Sequence, residues 1–330
     1  MKSLAETLIK DAYDSGASDI HITFEKTEGS VKKRIRGKMV AVRTLELDML
    51  KRLINYLKFI AELDINEHKV PQSGRTSFYI GDLQCNIRVS TLPLTIMKEI
   101  VVIRLLNTSA GKSSESLFYR DEDYKFLASH MKLSQGLILF TGPTGSGKST
   151  VMYRLATDAA KDGTRQIISI EDPVEFDISG LVQVEINDKA NLSYAPLIRG
   201  VLRCDPDIIM FGEIRDKIIA EELLKTSLSG HLVLSTFHSK SALSTLTRLK
   251  DYGLYKEEMA ESISLIVNQR LIHTEAGAFI VYEHLDKEMI QKHLNGGTVM
   301  YPTIQDKLIE LHGEGALTDE EYKHYNRSFQ

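Results

Sequence analysis

The sequence predicts an α/β protein, a doubly wound parallel sheet core with a smaller N-terminal α+β domain. Three observations carry that expectation. The 330 residues exceed what one ordinary core holds, so two compact domains are the starting point. Up to residue 106, strand-like segments meander around a few helices without regular alternation, as in a small α+β domain. From residue 117 the rhythm becomes apolar strand, turn and amphipathic helix, the pattern of a parallel sheet covered on both faces.

The elements follow in order. Residues 1–19 read as an amphipathic helix and not a signal peptide, because no long apolar run occurs and acids come early. From Ala17 to Val42 the pattern is strand-like: Asp19 to Phe24 alternates, and Val31–Arg36 and Met39–Val42 flank Gly37 as a hairpin. A helix over about 48–62 puts Leu50, Leu53, Ile54, Leu57, Ile60 and Ala61 on one face. Strands return at Thr76–Ile80 and Leu83–Ser90, joined by Gly81-Asp82, and again at Glu99–Leu106.

Residues 107–116 are small and polar and read as a linker. Beyond it come strand Leu137–Thr141 with a helix from Lys148, strand Gln166–Ile170, strand Asp207–Phe211 with a helix from about Lys217, and strand His231–Thr236 with a helix from Ala242. The tail from about Tyr255 reads as mostly helical, apart from a hairpin at Ile272–Leu285. The expected division is 1–106, the linker 107–116, a core at 117–285 and a helical segment at 286–330.

Composition narrows the classes of function. Cys85 and Cys204 are too few for a disulfide framework or a four-thiolate zinc site, which makes a reducing compartment the default. No run of about 18 apolar residues offers a membrane span, so the expected location is the cytoplasm, with membrane association only peripheral or through a partner. Net charge is uneven: residues 1–107 hold 17 Lys/Arg against 13 Asp/Glu, and the remainder 24 against 32. The acidic larger part argues against direct nucleic-acid binding. Lys32, Lys33, Arg34, Arg36 and Lys38 form the densest basic run and read as a solvated hairpin.

One motif carries chemistry outright. Gly142-Pro143-Thr144-Gly145-Ser146-Gly147-Lys148-Ser149-Thr150 satisfies G-x-x-x-x-G-K-[ST], directly after an apolar strand and before a helix. Its glycines let successive N–H groups turn inward around phosphate oxygens, and the helix N-terminus adds a favourable dipole. Lys148 is suited to neutralising β/γ-phosphate charge and the Ser149 hydroxyl to ligating Mg²⁺. Gly111-Lys112-Ser113 is a decoy, because Leu106 stands where the first glycine is required.

Acids and histidines stand near other strand ends. Glu171, Asp172 and Glu175 follow Ile167–Ile170, and Glu213 follows Asp207–Phe211 and Gly212. In a doubly wound sheet the strand C-termini gather on the phosphate-loop edge, where carboxylates can orient water or hold a metal ion through its water shell. Glu171 and Asp172 read equally well as surface caps opening the next segment. His231 and His238 bracket a buried strand.

Taken in order, the phosphate-loop strand, EDPVE (171–175), LRCDPDIIMFGEIRD (202–216) and GHLVLSTFHS (230–239) resemble the Walker A, Asp box, Walker B and His box of the type II/type IV secretion ATPase superfamily. SDIHI (18–22), RIRG (34–37), QSGR (72–75), IRVSTLP (87–93) and VVIRLLN (101–107) resemble that family's N-terminal, PAS-like domain. The resemblance implies a RecA-like P-loop core that binds ATP with Mg²⁺, Ser149 and Glu213 contributing to the metal site. It implies Glu213 as the Walker B glutamate, with Gly212 where many P-loop proteins place an aspartate, and Glu175 as the Asp-box glutamate that helps position water. It further implies His231 and His238 as a nucleotide-sensing pair, and Arg88, Arg104, Arg199 and Arg203 as arginine fingers toward γ-phosphate charge.

The absence of a tetracysteine zinc module after the His box, and of a long segment ahead of SDIHI, makes the chain most similar to the ComGA-type ATPases of Gram-positive competence pili. The expectation is a homohexameric ATP-hydrolysing motor that works through a polytopic membrane platform protein to assemble a pilus for DNA uptake. Pilus retraction or type II secretion is the nearest alternative, and a ring-shaped DNA translocase the alternative of another class.

Overall fold

The computed structural model describes the chain apart from residues 26–27, 36, 82, 96–97, 107–116, 173, 175–177, 187–193, 276 and 330. The chain divides into two compact units, 1–112 and 113–330. The linker expected at 107–116 falls outside the described residues.

The first unit contains α1 (Lys2–Asp14), β1 (Ala17–Phe24), β2 (Gly29–Ile35), β3 (Lys38–Leu45), α2 (Leu47–Ile60), β4 (Gln72–Ile80), β5 (Leu83–Thr95) and β6 (Lys98–Leu106). The strands form one antiparallel sheet in the order β3-β2-β1-β6-β5-β4. Its pleat sorts the residues, because successive side chains point to opposite faces. Ile20, Ile22, Ile87, Val89, Val101 and Ile103 meet the apolar stripes of α1 (Leu8, Ile9) and α2 (Leu50, Leu53, Leu57) in one buried cluster. The alternate positions carry charge: Asp19 lies opposite Arg34 and Arg104, Arg104 opposite Arg88, and Arg88 opposite Arg75. Within this unit Lys58 is fully buried, donating to Glu99 Oε1 at 2.9 Å and to the Glu67 carbonyl at 2.7 Å, while His68 closes on the same carboxylate.

The second unit holds α3 (Asp121–His130), β7 (Gly136–Thr141), α4 (Lys148–Ala160), β8 (Ile167–Glu171), β9 (Val182–Glu185), α5 (Tyr194–Val201), β10 (Ile208–Phe211), α6 (Lys217–Leu228), β11 (Leu232–Phe237) and α7 (Ala242–Asp251). It ends with α8 (Lys256–Ser262), β12 (Ile263–Thr274), β13 (Gly277–Asp286), α9 (Lys287–Leu294), α10 (Ile304–Gly313) and α11 (Asp319–Ser328). The sheet order is β13-β12-β7-β11-β10-β8-β9, parallel throughout except for the β12–β13 hairpin. Along β7, Leu137 and Leu139 enter one core with α6, α7 and α8, and Ile138 and Phe140 enter another with α3 and α4. That double burial is why β7 reads as an unbroken apolar run, and it makes the unit a RecA-like doubly wound P-loop sheet.

The tail differs from its expectation. The helical reading holds over Lys256–Ser262 and again in the three helices after Asp286, but Ile263–Thr274 is a twelve-residue strand beside β7, so the hairpin begins well before Ile272. Ile263, Leu265, Ile266 and Val267 are buried between both cores, and such a strand has no alternating pattern to separate it from a buried helix. α10 lays Ile304, Leu308 and Leu311 against Ile272 and Val281 of the hairpin, and Tyr322 and Tyr325 of α11 pack on the edge of that cluster. Thr303 and Thr318 close capping boxes at their starts. Among the described residues no helix is long and apolar enough to cross a membrane.

Candidate nucleotide-binding site

β7 delivers the chain into a loop that only glycine permits at its turning points. Gly142, Gly145 and Gly147 have φ of +138°, +80° and +84°. A side chain on Gly142 would place its Cβ 2.5 Å from the Gln269 carbonyl, and one on Gly147 would meet Ile280 Cδ1 at 2.7 Å. Gly147 is the N-cap of α4, so the free N–H groups of that helix open onto the loop. Pro143 and Thr144 are exposed on its outside, and Ser149 and Thr150 are half-buried in the first turn of α4. Lys148 is buried; its Nζ donates to the carbonyls of Gly142 at 3.0 Å and Pro143 at 2.9 Å. Burial pulls its pKa down to about 8, against the opposing charge of Glu213.

The residues fit a phosphate chain on two counts. The glycines at positive φ curl the loop over the N-terminus of α4, whose N–H groups are free to donate, and Ser146 Oγ, a hydroxyl able to donate, is buried beside it without a hydrogen-bond partner among the described residues. Neutral and cationic donors surround the cradle, which suits an anion.

Parallel strands bring the next groups to the same edge. Glu213 follows β10, with Oε1 3.4 Å from His238 Nε2 after β11 and Oε2 3.8 Å from Arg215 Nε. Arg215 Nη1 donates to Asp172 Oδ2 after β8 at 2.6 Å. The turn holding Glu213 is fixed from β11, since Thr236 Oγ1 donates to the Gly212 carbonyl at 2.6 Å and the Ile214 N–H to the Thr236 carbonyl at 2.9 Å. Glu171 is otherwise employed: buried, it accepts from Tyr153, from Ser169 Oγ at 2.5 Å and from Gln183 Nε2 at 2.9 Å, tying α4 to β8 and β9. Glu175 lies outside the described residues.

His231 sits apart from this edge. It precedes β11, beside Gly136 at the start of β7, with Nδ1 3.0 Å from Ser229 Oγ, so it occupies the strand end opposite His238 and the loop. Arg199 on α5 and Arg203 just beyond it are exposed. Arg88 and Arg104 belong to the first unit. Arg104 Nε donates to Asp19 Oδ1 at 2.8 Å, and Arg88 Nη2 is buried without a partner among the described residues. Burial pushes the Asp19 carboxyl up, but the hydrogen bonds from Arg104 and Ser18 and the Arg104 charge outweigh it and leave it below the usual range.

Sequence reasoning missed the side chains that hold these parts together. Asn268, Gln269 and Arg270 form a buried polar triplet on β12; Asn268 Nδ2 donates to Thr141 Oγ1 at 2.8 Å and Gln269 Nε2 to the Ser146 carbonyl at 3.0 Å. Three polar residues inside the apolar run ISLIVNQRLI were the available signal. Arg215 and Arg75 stood inside recognised segments without a role.

A family model described as "Type II/IV secretion system protein" matches residues 1–298. Type II secretion system protein E of Pseudomonas aeruginosa is 40% identical over 271 residues, 82% of this chain and 53% of that protein. Competence protein ComGA of Bacillus subtilis is 35% identical over 272 residues, 82% of this chain and 76% of that one. The chain thus spans about half the length of several relatives it matches. In fold it is similar to the ATPase DotB of Legionella pneumophila, with TM-score 0.78 and 19% identity across 99% of this chain and 96% of that one. It is also similar to the pilus retraction motor PilT, with TM-score 0.71 and 24% identity across 96% and 95%. A phosphate loop on a doubly wound sheet, a carboxylate at the neighbouring strand end and sequence agreement over most of the chain converge: the chain belongs to the type II/IV secretion system protein family.

Proposed function

We propose that the chain is an ATP-hydrolysing motor that powers assembly of a competence, type IV-like pilus for DNA uptake. The observation that carries the reading is the gathering of Lys148, Glu213 and His238 at one sheet edge around the phosphate loop. In this mechanism the loop N–H groups and Lys148 bind the β- and γ-phosphates, and Glu213 guides water toward the γ-phosphate, with Glu175 as the second candidate for that task. Ser149 and Glu213 are the residues that would hold Mg²⁺, which would supply further neutralisation of phosphate charge. Arg88, Arg104, Arg199 and Arg203 are the guanidiniums assigned to the charge that grows on transfer, and His238 is assigned to sensing whether the γ-phosphate is present.

The proposed assembly is a homohexamer, cytoplasmic and held at the inner face of the membrane through a polytopic platform protein, without direct nucleic-acid contact. Similarity to ComGA and the want of any cysteine beyond Cys204 for a tetracysteine module support the competence branch. The 40% identity to type II secretion protein E favours secretion as the second reading.

Replacing Lys148 by Ala is expected to abolish ATP turnover; undiminished hydrolysis by that variant removes the central claim. The direction of work is tested by surface pilin in a strain deleted for this gene against one complemented with the wild type. Loss of pilin supports assembly, an increase means retraction, and no change favours secretion.

A further inference from the structure

The phosphate loop is held from outside by a residue of β12. Of the triplet Asn268-Gln269-Arg270, all buried, two members are fully occupied in joining strand ends. Asn268 bonds Thr141, the last residue of β7, and Arg270 donates to Asn268 Oδ1 at 2.8 Å, to the Gln269 carbonyl at 3.0 Å and to the Lys240 carbonyl at 2.6 Å. Gln269 differs. Its Nε2 donates to the Ser146 carbonyl at 3.0 Å, while its Oε1 is buried with no partner among the described residues. An apolar side chain of the same length would fill the space and avoid the unmet Oε1 but would take the donor from the Ser146 carbonyl, so what the amide adds beyond packing is that one hydrogen bond.

Peptide geometry supplies the account. In a planar trans unit the C=O and the following N–H point in opposite directions. A phosphate loop works only when its N–H groups face inward and its carbonyls outward. Binding the Ser146 carbonyl to β12 therefore sets the Gly147 N–H in the opposite sense, toward the cradle. The same residue braces the loop's start, because its own carbonyl, fixed by Arg270, is the wall against which Gly142 turns.

We infer that Gln269 is a positioning residue for the polyphosphate of a nucleotide: its amide presets the Ser146–Gly147 peptide so that the loop meets phosphate already arranged. This rests on the nucleotide-binding reading above. The arrangement acts on ground-state phosphate contacts, so its loss appears in binding more than in the chemical step.

The test compares ADP binding by wild type, Lys148→Ala, Gln269→Met and Gln269→Asn, together with KM and kcat for ATP and the melting temperature of each protein without nucleotide. Met keeps the volume and removes the donor; Asn keeps the amide and withdraws it from reach. Both are expected to raise the Kd for ADP and the KM for ATP at least tenfold, with kcat within threefold and melting within a few degrees of wild type. A Kd within twofold of wild type in the folded variants overturns the inference, and so does a kcat loss at unchanged Kd. Unfolding of both variants also overturns it, since the amide would then be a requirement of the fold. If wild type binds no ADP, the nucleotide reading itself fails. If wild type binds and Lys148→Ala does not, while the Gln269 variants bind normally, only the inference about Gln269 fails.

Discussion

On the proposed reading, Lys148 should make nucleotide affinity depend on pH, in a direction set by its burial. Burial lowers its pKa to about 8 in the free protein, whereas phosphate oxygens around the ammonium favour the charged form in the complex. Binding therefore takes up a proton above pH 8, and affinity falls as pH rises. With a free pKa of about 8, the protonated fraction drops from roughly ten-elevenths at pH 7 to one-eleventh at pH 9, so Kd for ADP should rise about tenfold, near 1.4 kcal/mol. Titration calorimetry with ADP at pH 7, 8 and 9, in buffers of different ionisation enthalpy, reads both the affinity and an uptake of about half a proton at pH 8. The stability of the free protein moves the other way. Between about 8 and 10.5 the unfolded chain binds more protons at this site than the folded one, so stability gains on the order of 3 kcal/mol across that window relative to a Lys148→Met control. A Kd that stays flat from pH 7 to 9, or the same slope in Lys148→Met, would refute the assignment of the titration to this ammonium.

Three further outcomes follow from named contacts. Glu213→Gln keeps the volume but removes the carboxylate proposed to guide water, and is expected to lower kcat by about 10²–10⁴-fold with ADP affinity within threefold; steady-state hydrolysis beside direct binding measures the split. Lys58→Met leaves the buried Glu99 carboxylate without its ammonium, which should cost about 3–5 kcal/mol in the first unit's urea unfolding, and a loss below 1 kcal/mol would contradict the pairing. Gly142→Ala sets a Cβ 2.5 Å from the Gln269 carbonyl at a φ of +138° and should weaken ADP binding at least tenfold with far-UV dichroism unchanged. Gly145→Ala, with no atom within 4 Å of the added carbon, should be the milder of the two.

Much of the molecule was legible where local pattern and tertiary role agree. The stripe Leu50, Leu53, Leu57 could only be a helix face, and α2 puts it against Ile20 and Ile103. The phosphate loop was legible because its glycines answer a backbone requirement that no other residue meets. β12 was not legible: a strand buried on both faces presents the same apolar run as a buried helix, and only its neighbour β7 settles the difference. Glu171 and Asp172 could not be told apart either. Both follow the same strand, but one accepts three hydrogen bonds inside the unit and the other meets Arg215 at the surface.

By itself, then, the sequence determined what depends on neighbours along the chain: the glycine loop between a buried strand and a helix, the periodicities of helix and sheet, and the motif order that marks the family. The tertiary structure alone decided which side chains from distant segments share a place. It put His238 and Glu213 at one strand edge and His231 at the other, and it turned Gln269, 123 residues beyond Ser146, toward that residue's carbonyl. The physical reason is that backbone conformation answers to local sterics, whereas the partner of a buried polar group is chosen by sheet order and register, which no short stretch of sequence encodes.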